Sequence, residues 1–401
     1  MDTRPRVLVL APDLPYPVRA GGQMRMACFV EALGRAAAVH IACLSASVPG
    51  ETLAWCTRCG VSIAHWHRRL LSGWRLWAER ARMIARHDNL VFRADEDAFF
   101  GGEVQRFKPD LIWLETPYLL RYALHWRGTA AVVANYWGTS EGAERDFRQA
   151  QGVRRAWEWL RWQAAVGGEK RYAPALSAIV TVSELDATHF RRLAPNVPVW
   201  AIPNGVLKPV NPAAPPVVED PDLLVFTGDL SYRPNVDAVQ YLVAEVLPRV
   251  QAVCPTARLR VAGRAPSDEI KALARPGSVD VVGFVPDLAV PIAEGAVYVL
   301  PMRLGSGIRS KLFDVFPLGK AIVTTRVGAE GLELEDGRNC RIADTAAEFA
   351  AACVELLQAP DKRYALGQGA RRLATEVYCQ ENVERRVRDV VNASLHRTVP
   401  A

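Results

Sequence analysis

The sequence contains no apolar run long enough to cross a bilayer. A membrane-spanning helix needs roughly 20 consecutive apolar residues, and no stretch of the 401 residues reaches that length. No N-terminal targeting segment is recognisable. We therefore expect a cytoplasmic protein, either free in solution or bound peripherally to the inner face of the membrane.

Cysteine is present, but without the spacing of a disulfide framework or a zinc site. Eight cysteines are scattered along the chain, most of them inside apolar runs. Cys56 and Cys59 form a lone CxxC with no second pair at the spacing that zinc requires. We interpret them as surface or core thiols in a reducing compartment.

The chain also lacks a G-x-G-x-x-G turn, internal repeats and low-complexity tracts. The first absence excludes an ordinary dinucleotide-dependent dehydrogenase, and the others exclude repeat architectures and biased disordered segments. With 50% hydrophobic and 23% charged residues, the composition is that of a globular protein. A chain of 401 residues is too long for one ordinary core and fits two domains.

Short β-compatible runs alternate with helical patterns in both halves of the chain. The predicted strands are residues 7–10, 39–44, 111–114, 131–134 and 178–182, then 223–227, 258–262, 279–282, 296–300 and 321–324. This βα alternation predicts two parallel sheets with helices on both faces. Residues 206–222 contain five prolines and predict a semi-rigid linker between domains 1–205 and 223–379.

Two glycine turns are candidate ligand-binding sites. Gly21-Gly22 follows the first predicted strand, and its backbone suits the approach of a phosphate or sugar, although an ordinary βα turn would explain it equally well. The second turn follows the strand at 296–300 and has more polar residues: Gly305, Ser306, Gly307, Arg309, Lys311 and Asp314. A helix is expected to begin after this turn, with its positive end towards phosphate, and to end at Gly319. Helical spacing places Lys311 and Asp314 on one face of that helix, where they suit a diphosphate and a ribose.

The second turn resembles the donor-binding motif of retaining glycosyltransferase family 4, in the subgroup with a Gly-Ser-Gly-x-Arg-x-Lys pattern. Other segments are similar to landmarks of that family in order and spacing: 6–12 with Gly21-Gly22, 181–186, 202–205, 226–237, 261–264, 283–287 and 328–332. The resemblance implies an α/β protein of the GT-B fold, with two Rossmann-like doubly wound domains facing a central cleft. It further implies that residues 1–205 serve the acceptor, that 223–379 bind a nucleotide sugar, and that a helix in 380–401 crosses back to the first domain.

The candidate site residues, taken from motif and resemblance together, form three sets. The catalytic set is Arg309, Lys311 and Glu330. The donor-binding set is Gly21, Gly22, Arg233, Arg264, Phe284, Val285, Gly305, Ser306, Gly307 and Asp314. The acceptor set is Trp137 and Glu141.

The chain departs from the family pattern at two places. Ser306 and Asp314 stand where relatives usually have two glutamates eight positions apart. After the strand at 131–134, where relatives often have His or Asp, this chain has Asn135-Tyr-Trp-Gly-Thr-Ser-Glu141. The second departure implies either a specialised acceptor side or an altered activity.

The resemblance implies a hexosyltransferase that moves a sugar from a UDP- or GDP-sugar to a hydroxyl acceptor in glycan, polysaccharide or glycolipid assembly. No cofactor is expected, and no metal, because Asp95-Glu-Asp97 follows no apolar strand although it matches a metal-binding D-x-D pattern. Two alternatives stay open. They are a nucleotide-sugar epimerase or hydrolase on the same fold, using an acid/base residue such as Glu115, Glu141 or Glu169, and a non-catalytic sugar-binding protein.

The net charge of +6 is concentrated in two segments rich in Trp and Arg, residues 65–86 and 153–161. Basic amphipathic helices bind anionic membranes and would suit a lipid-linked acceptor. The alternative is that their apolar faces pack on the first domain and their arginines are solvated. Nucleic acid is not an expected partner, because no recognised binding module accompanies these segments.

Overall fold

The computed structural model describes residues 4–18, 21–67, 73–74, 78, 94–116, 119–136, 140–207, 217–305 and 307–396. The chain divides into two compact units. The first combines Met1–Asn204 with Gln380–Ala401, and the second is Gly205–Cys379.

The first unit is built on a seven-stranded sheet of order β3-β2-β1-β4-β5-β6-β7, with every neighbouring pair parallel. Its strands are β1 (Arg6–Ala11), β2 (Ala38–Cys43), β3 (Ser62–His65), β4 (Leu111–Glu115), β5 (Ala131–Tyr136), β6 (Ala178–Thr181) and β7 (Val199–Ala201). The central strands β1 and β4 are almost completely buried. Each buried Val, Leu or Ile side chain contributes roughly 1.5–3 kcal/mol.

Seven helices of the first unit precede the second unit in the described part of the chain. They are α1 (Gly21–Ala36), α2 (Gly50–Cys59), α3 (Ala94–Phe107), α4 (Tyr122–His125), α5 (Ser140–Gln149), α6 (Gly152–Tyr172) and α7 (Glu184–Leu193), with a short 3₁₀ turn at Ala173–Ala175. Ser183 caps α7 by accepting a hydrogen bond from Asp186 N at 3.2 Å.

The second unit has a six-stranded parallel sheet of order β10-β9-β8-β11-β12-β13. Its strands are β8 (Asp220–Thr227), β9 (Arg258–Ala262), β10 (Val279–Gly283), β11 (Gly295–Leu300), β12 (Ala321–Thr324) and β13 (Arg341–Ile342). Its helices are α8 (Arg233–Tyr241), α9 (Leu247–Gln251), α10 (Asp268–Lys271), α11 (Ala289–Glu294), α12 (Leu312–Val315), α13 (Arg326–Ala329), α14 (Ala346–Gln358) and α15 (Pro360–Arg372). Single π turns span Leu242–Val246 and Leu373–Val377.

The last helix, α16 (Gln380–Leu395), returns to the first unit and packs against α1. Its buried valines at 383, 387, 390 and 391 follow the helical period and form one apolar stripe. At its start, Gln380 Nε2 donates to the main-chain oxygen of Cys28 at 2.9 Å. The stripe and this hydrogen bond attach α16 to the first sheet layer.

All ten strands predicted from the sequence are present, with ends that differ by up to three residues. The short strands β3, β7 and β13 were not predicted. Strands β7 and β13 have only three and two residues, and β3 begins and ends with the polar Ser62 and His65, so none shows the longer apolar run of a buried strand. Strand β8 begins at Asp220, inside the predicted linker, and residues 208–216 of that linker lie outside the described residues.

The helix predicted after Gly305-Ser306-Gly307 is much shorter than expected. Lys311 precedes the four-residue α12, a 3₁₀ turn at Phe316–Leu318 follows, and Gly319 ends the segment in the left-handed region at φ 63°. The prediction that the positive end of a helix attracts phosphate here is therefore wrong, because the few aligned peptides of α12 have only a small macrodipole. Charge at this site comes from side chains instead.

Candidate functional site

The carboxyl edge of the second sheet gathers most of the predicted donor residues. Strand β9 lies on one side of β8, and β12 lies on the opposite side of β11. The strand order therefore reverses between the neighbouring strands β8 and β11. Open α/β sheets bind ligands at such a switch point, outside the carboxyl ends of the strands. The loops after β8, β9, β11 and β12 all reach this edge.

Two glycines allow the loops after β8 and β9 to touch backbone to backbone. A Cβ on Gly263 would lie 1.7 Å from the main-chain oxygen of Gly228. Leu230 N donates to Arg264 O at 2.9 Å, and Gly263 N donates to Gly283 O at 2.7 Å. The contact between these two loops is therefore rigid, and it leaves no room for a side chain at position 263.

Lys311 places a half-buried ammonium at the switch point. Its Nζ donates to Asn235 Oδ1 at 2.8 Å and lies 4.3 Å from the ring centroid of Phe226. Burial and, to a smaller extent, the neighbouring Arg309 lower the pKa of Lys311 to about 7, against the opposing effect of Asp229. The ammonium is thus poorly compensated and favours an anionic ligand.

Arg309 is buried next to Lys311 and ties two loops together. Its Nη2 donates to Gly305 O at 3.1 Å and to Val327 O at 3.3 Å, in the segment after β12. Gly305 and Gly307 have φ values of 98° and 75°, which other residues rarely adopt. The glycine turn thus allows the backbone to fold around the guanidinium. Ser306 lies outside the described residues.

Arg264 lies at the same edge, but its guanidinium is bound to Asp229. Its Nε and Nη2 lie 3.0 and 2.8 Å from Asp229 Oδ2. Ser231 donates to the other carboxylate oxygen from its N and Oγ, at 3.0 and 2.7 Å. Burial acts to raise the pKa of Asp229, but the hydrogen bonds from Ser231 and Arg264 outweigh it and hold this pKa below its ordinary value.

The other predicted donor residues of the second unit lie in its loops and short helices. Arg233 is exposed and begins α8, and Glu330 follows α13 directly. Phe284 is 73% exposed after β10, with Val285 half-buried beside it. Asp314 lies within α12, and its charge adds to burial in raising the pKa of Tyr298 on β11, so this carboxylate is near the switch point.

In the first unit, Gly21 and Gly22 are the first residues of α1, and Arg25 follows one turn later. Arg25 is buried at the switch point between β1 and β4. Its Nε donates to Asn135 Oδ1 at 2.8 Å, and its Nη1 donates to Ile202 O at 2.9 Å and Asn204 Oδ1 at 3.1 Å. Its Nη2 is buried with no hydrogen-bond partner among the described residues. Burial lowers the pKa of Arg25 to about 10, so it stays charged at neutral pH.

Glu115 ends β4 in the same polar group and is fully buried. Asn135 Nδ2 donates to both of its oxygens, at 3.1 and 3.0 Å, and Trp113 Nε1 donates at 2.8 Å. Burial raises the pKa of Glu115 to about 7, although Asn135, Arg25 and Trp113 all favour the carboxylate. This acid can therefore exchange a proton near neutral pH.

Glu141, which follows β5 at the start of α5, is connected through His189 to Glu169. His189 Nδ1 lies 3.3 Å from Glu141 Oε1, and His189 Nε2 lies 2.8 Å from Glu169 Oε2. The buried Glu169 also accepts from Ser140 N, Ser140 Oγ and Tyr136 OH. The hydrogen bond with Glu169 raises the pKa of His189 against the effect of burial, and Glu141 adds to the rise. Trp137, the other predicted acceptor residue, lies outside the described residues.

The acidic motif Asp95-Glu-Asp97 occupies the first turn of α3. Asp97 is ion-paired with Arg121 and accepts from Tyr122 OH at 2.6 Å, so protein partners already hold its carboxylate. In the ranges that the structure describes, no group of three or more His, Cys, Asp or Glu side chains is arranged to hold a metal ion.

The segments rich in Trp and Arg are described only in part. Within the first, Trp74 is 74% exposed, while Trp77 and the neighbouring arginines lie outside the described residues. In the second, Val153 is 90% and Trp159 45% exposed, but Arg154 and Arg161 both pair with Glu158. Of the helices described, none has the length and apolar character to span a membrane.

Among the polar residues at the sites in the two units, Asn235, Asp229 and His189 were not identified from the sequence. Asn235 and Asp229 lie in the segment 226–237, which signalled a landmark but gave no indication of which side chains point inward. His189 has no sequence signal, because only the fold brings α7 against α5 and α6.

The family model for glycosyl transferases group 1 matches residues 221–359. The matched segment lies within the second unit and includes the loops that carry Arg264, Arg309 and Lys311. No curated protein sequence matches the chain.

Several solved structures resemble the whole chain. HepE from Anabaena, solved with UDP and glucose, has a TM-score of 0.66 and 12% identity, with 97% of this chain and 100% of that chain covered. Sucrose-phosphate synthase from Thermosynechococcus elongatus has a TM-score of 0.70 and 14% identity, with 97% and 98% covered. WaaG, a glycosyltransferase involved in lipopolysaccharide biosynthesis, has a TM-score of 0.63 and 14% identity, with 96% and 99% covered. The chain thus has the GT-B fold, as expected from the sequence.

Proposed function

We propose that this protein is a retaining glycosyltransferase of family 4 that transfers a hexose from a UDP- or GDP-sugar to a hydroxyl acceptor. The observation that carries the proposal is the pair of cations, the buried Arg309 and the half-buried Lys311, at the switch point of the segment that matches the glycosyl transferase group 1 model. Two adjacent cations at one edge of the sheet suit a diphosphate leaving group. We assign the donor to residues 223–379 and the acceptor to residues 1–205.

In the proposed reaction, the bond between the anomeric carbon and the phosphate oxygen breaks, and its electron pair stays on the leaving diphosphate. The acceptor oxygen forms the new bond on the same face of the sugar, and its proton passes to the phosphate. Arg309 and Lys311 stabilise the charge that accumulates on the diphosphate in the transition state. This route needs no protein nucleophile and no metal.

The remaining residues have proposed roles in binding. Asp314 accepts hydrogen bonds from the ribose hydroxyls, and Phe284 and Val285 flank the base, consistent with the exposure of Phe284. Glu330, which follows α13, contacts the donor. The complexes of HepE with UDP and with UDP-glucose support a nucleotide sugar as donor.

We place the acceptor at Glu141 and Trp137 in the first unit, within glycan, polysaccharide or glycolipid assembly. We further propose that the acceptor is linked to a lipid at the membrane surface, because Trp74, Val153 and Trp159 are exposed. Sedimentation with anionic liposomes at low and high salt tests it, because electrostatic attraction to lipid weakens as salt rises. Protein that stays in the supernatant at low salt would favour a soluble acceptor.

A nucleotide-sugar hydrolase or epimerase is the second candidate, because His189 between Glu141 and Glu169 is an oriented acid/base group. Thermal unfolding with UDP, GDP and other nucleoside diphosphates identifies the base, since a ligand that binds only the folded state raises the melting temperature. Donor consumption is then measured with and without hydroxyl acceptors. Consumption that depends on the acceptor supports transfer, consumption without it supports hydrolysis or epimerisation, and binding without turnover indicates a sugar-binding protein.

A further inference from the structure

Asn235 is a buried polar residue at the donor edge to which no role has yet been given. Its Nδ2 donates to the main-chain oxygen of Asp229 at 2.8 Å, and its Oδ1 accepts from Lys311 Nζ at 2.8 Å. One amide therefore links the loop after β8 to the segment after β11. Within the described part of the chain, this is the single hydrogen bond that Lys311 Nζ makes.

Protein atoms pack closely around the contact between Lys311 and Asn235. A Cβ on Gly228 would lie 2.7 Å from Lys311 Nζ and 2.8 Å from Asn235 Nδ2, so both groups pack directly over the glycine. The ring of Phe226 lies 4.3 Å from the ammonium. Glycine, ring and amide together fix where the ammonium sits, and its other N–H donors remain for a ligand.

We propose that Asn235 is the positioning residue for Lys311, holding the ammonium at the donor diphosphate with a neutral acceptor. The inference rests on the proposed function. An aspartate in this place would also accept the hydrogen bond, but it would form an internal ion pair that a diphosphate must displace. The nearby acid, Asp229, is occupied by Arg264 and Ser231 and is not hydrogen-bonded to the ammonium. A neutral amide therefore fixes the position of the charge without neutralising it.

The charge state of Lys311 is consistent with this role. Burial and Arg309 lower its pKa to about 7, against the effect of Asp229. Phosphate oxygens favour the charged amine, so binding a nucleoside diphosphate above this pH includes uptake of a proton. The affinity should then fall by up to about tenfold for each pH unit above about 7.

The test compares Asn235→Asp, which keeps an acceptor and adds charge, with Asn235→Leu, which has similar volume and no acceptor. Asn339→Leu is the matched control. Asn339 is buried in the same unit and also makes two side-chain hydrogen bonds, from Nδ2 to Glu333 O at 3.0 Å and from Glu335 N to Oδ1 at 2.8 Å. Lys311 is titrated by NMR of ¹³C-labelled lysine, with the signal assigned from Lys311→Arg. UDP and GDP affinities are measured by calorimetry from about pH 6 to about pH 9.

In Asn235→Asp, the Lys311 titration should move up by about two pH units or more. Its nucleotide affinity should lose the pH dependence and fall by about tenfold or more near pH 6. Asn235→Leu should weaken binding by about tenfold through lost positioning, while Asn339→Leu changes neither property. Wild-type titration and affinity in both Asn235 variants would overturn the inference. A wild-type protein that binds neither UDP nor GDP would instead overturn the proposed function, and the lysine titration would still decide whether Asn235 controls Lys311.

Discussion

Lys311 is the residue on which the proposed donor site depends most. It is a cation without a carboxylate partner among the described residues, held by an amide and an aromatic ring. A charge prepared in this way needs no reorganisation when the leaving group becomes negative, so it acts mainly in the transition state.

Lys311→Ala should lower turnover by on the order of 10²-fold or more while leaving the unfolding temperature near that of the wild type. The control is Lys271→Ala, in the same unit, where an exposed ammonium pairs with Asp268. Donor turnover is measured for both at saturating donor. Near-normal turnover in Lys311→Ala would move the diphosphate site elsewhere.

Asp314→Glu tests whether this carboxylate faces the ribose. The longer acid restores the residue usual in relatives, so donor affinity should stay the same or improve while turnover changes little, because such a hydrogen bond serves ground and transition states alike. Calorimetry with the nucleotide and steady-state kinetics separate the two quantities. A loss of affinity would mean that the backbone lies closer to the nucleotide than in relatives with glutamate, so that only the shorter aspartate side chain fits.

At the scale of elements, ten of the thirteen described strands were predictable and the contacts of the loops were not. Runs such as residues 111–114 and 321–324 are apolar throughout and belong to buried parallel strands, so their composition alone identifies them. The segment between Gly307 and Gly319 was predicted as one helix, because the helical spacing of Lys311 and Asp314 looks the same in a short turn. Asn235 was missed because its role depends on a loop that is distant in sequence.

The contact between the loops after β8 and β9 gives a prediction at this scale. Gly263→Ala should destabilise the protein by about 2–4 kcal/mol, because its Cβ would collide with the main-chain oxygen of Gly228 and neither backbone can move freely. Gly102→Ala is the control, since a Cβ there meets no atom within 4 Å and the residue lies inside α3. That change should stabilise by about 0.5–1 kcal/mol. Urea denaturation measures both, and equal stabilities would contradict the proposed rigidity.

At the scale of the whole molecule, the buried acid Glu115 makes stability depend on pH. Burial raises its pKa from 4.5 in the unfolded chain to about 7 in the folded protein. Between these values the folded protein keeps a proton that the unfolded chain releases, so stability should fall as pH rises, by up to about 1.4 kcal/mol per unit. His189, whose pKa is also raised, adds a loss at higher pH.

Glu115→Gln should remove the Glu115 part of this dependence, so that the difference from the wild type changes between about pH 4.5 and about pH 7 and is constant above. Glu144→Gln is the control, because it removes a more exposed acid that pairs with Arg148. Chemical denaturation at a series of pH values provides the comparison. A parallel profile for Glu115→Gln would show that the acid is ionised throughout.

The return of α16 to the first unit has a consequence for synthesis of the chain. The apolar stripe at 383, 387, 390 and 391 covers α1, yet it is translated after all of the second unit. On the ribosome, the unit that starts first is therefore completed last, with part of its surface uncovered while residues 205–379 emerge. The second unit, which is continuous in sequence, can finish folding before its neighbour. Nascent chains stalled before residue 380 should accordingly expose the α1 face to chaperones.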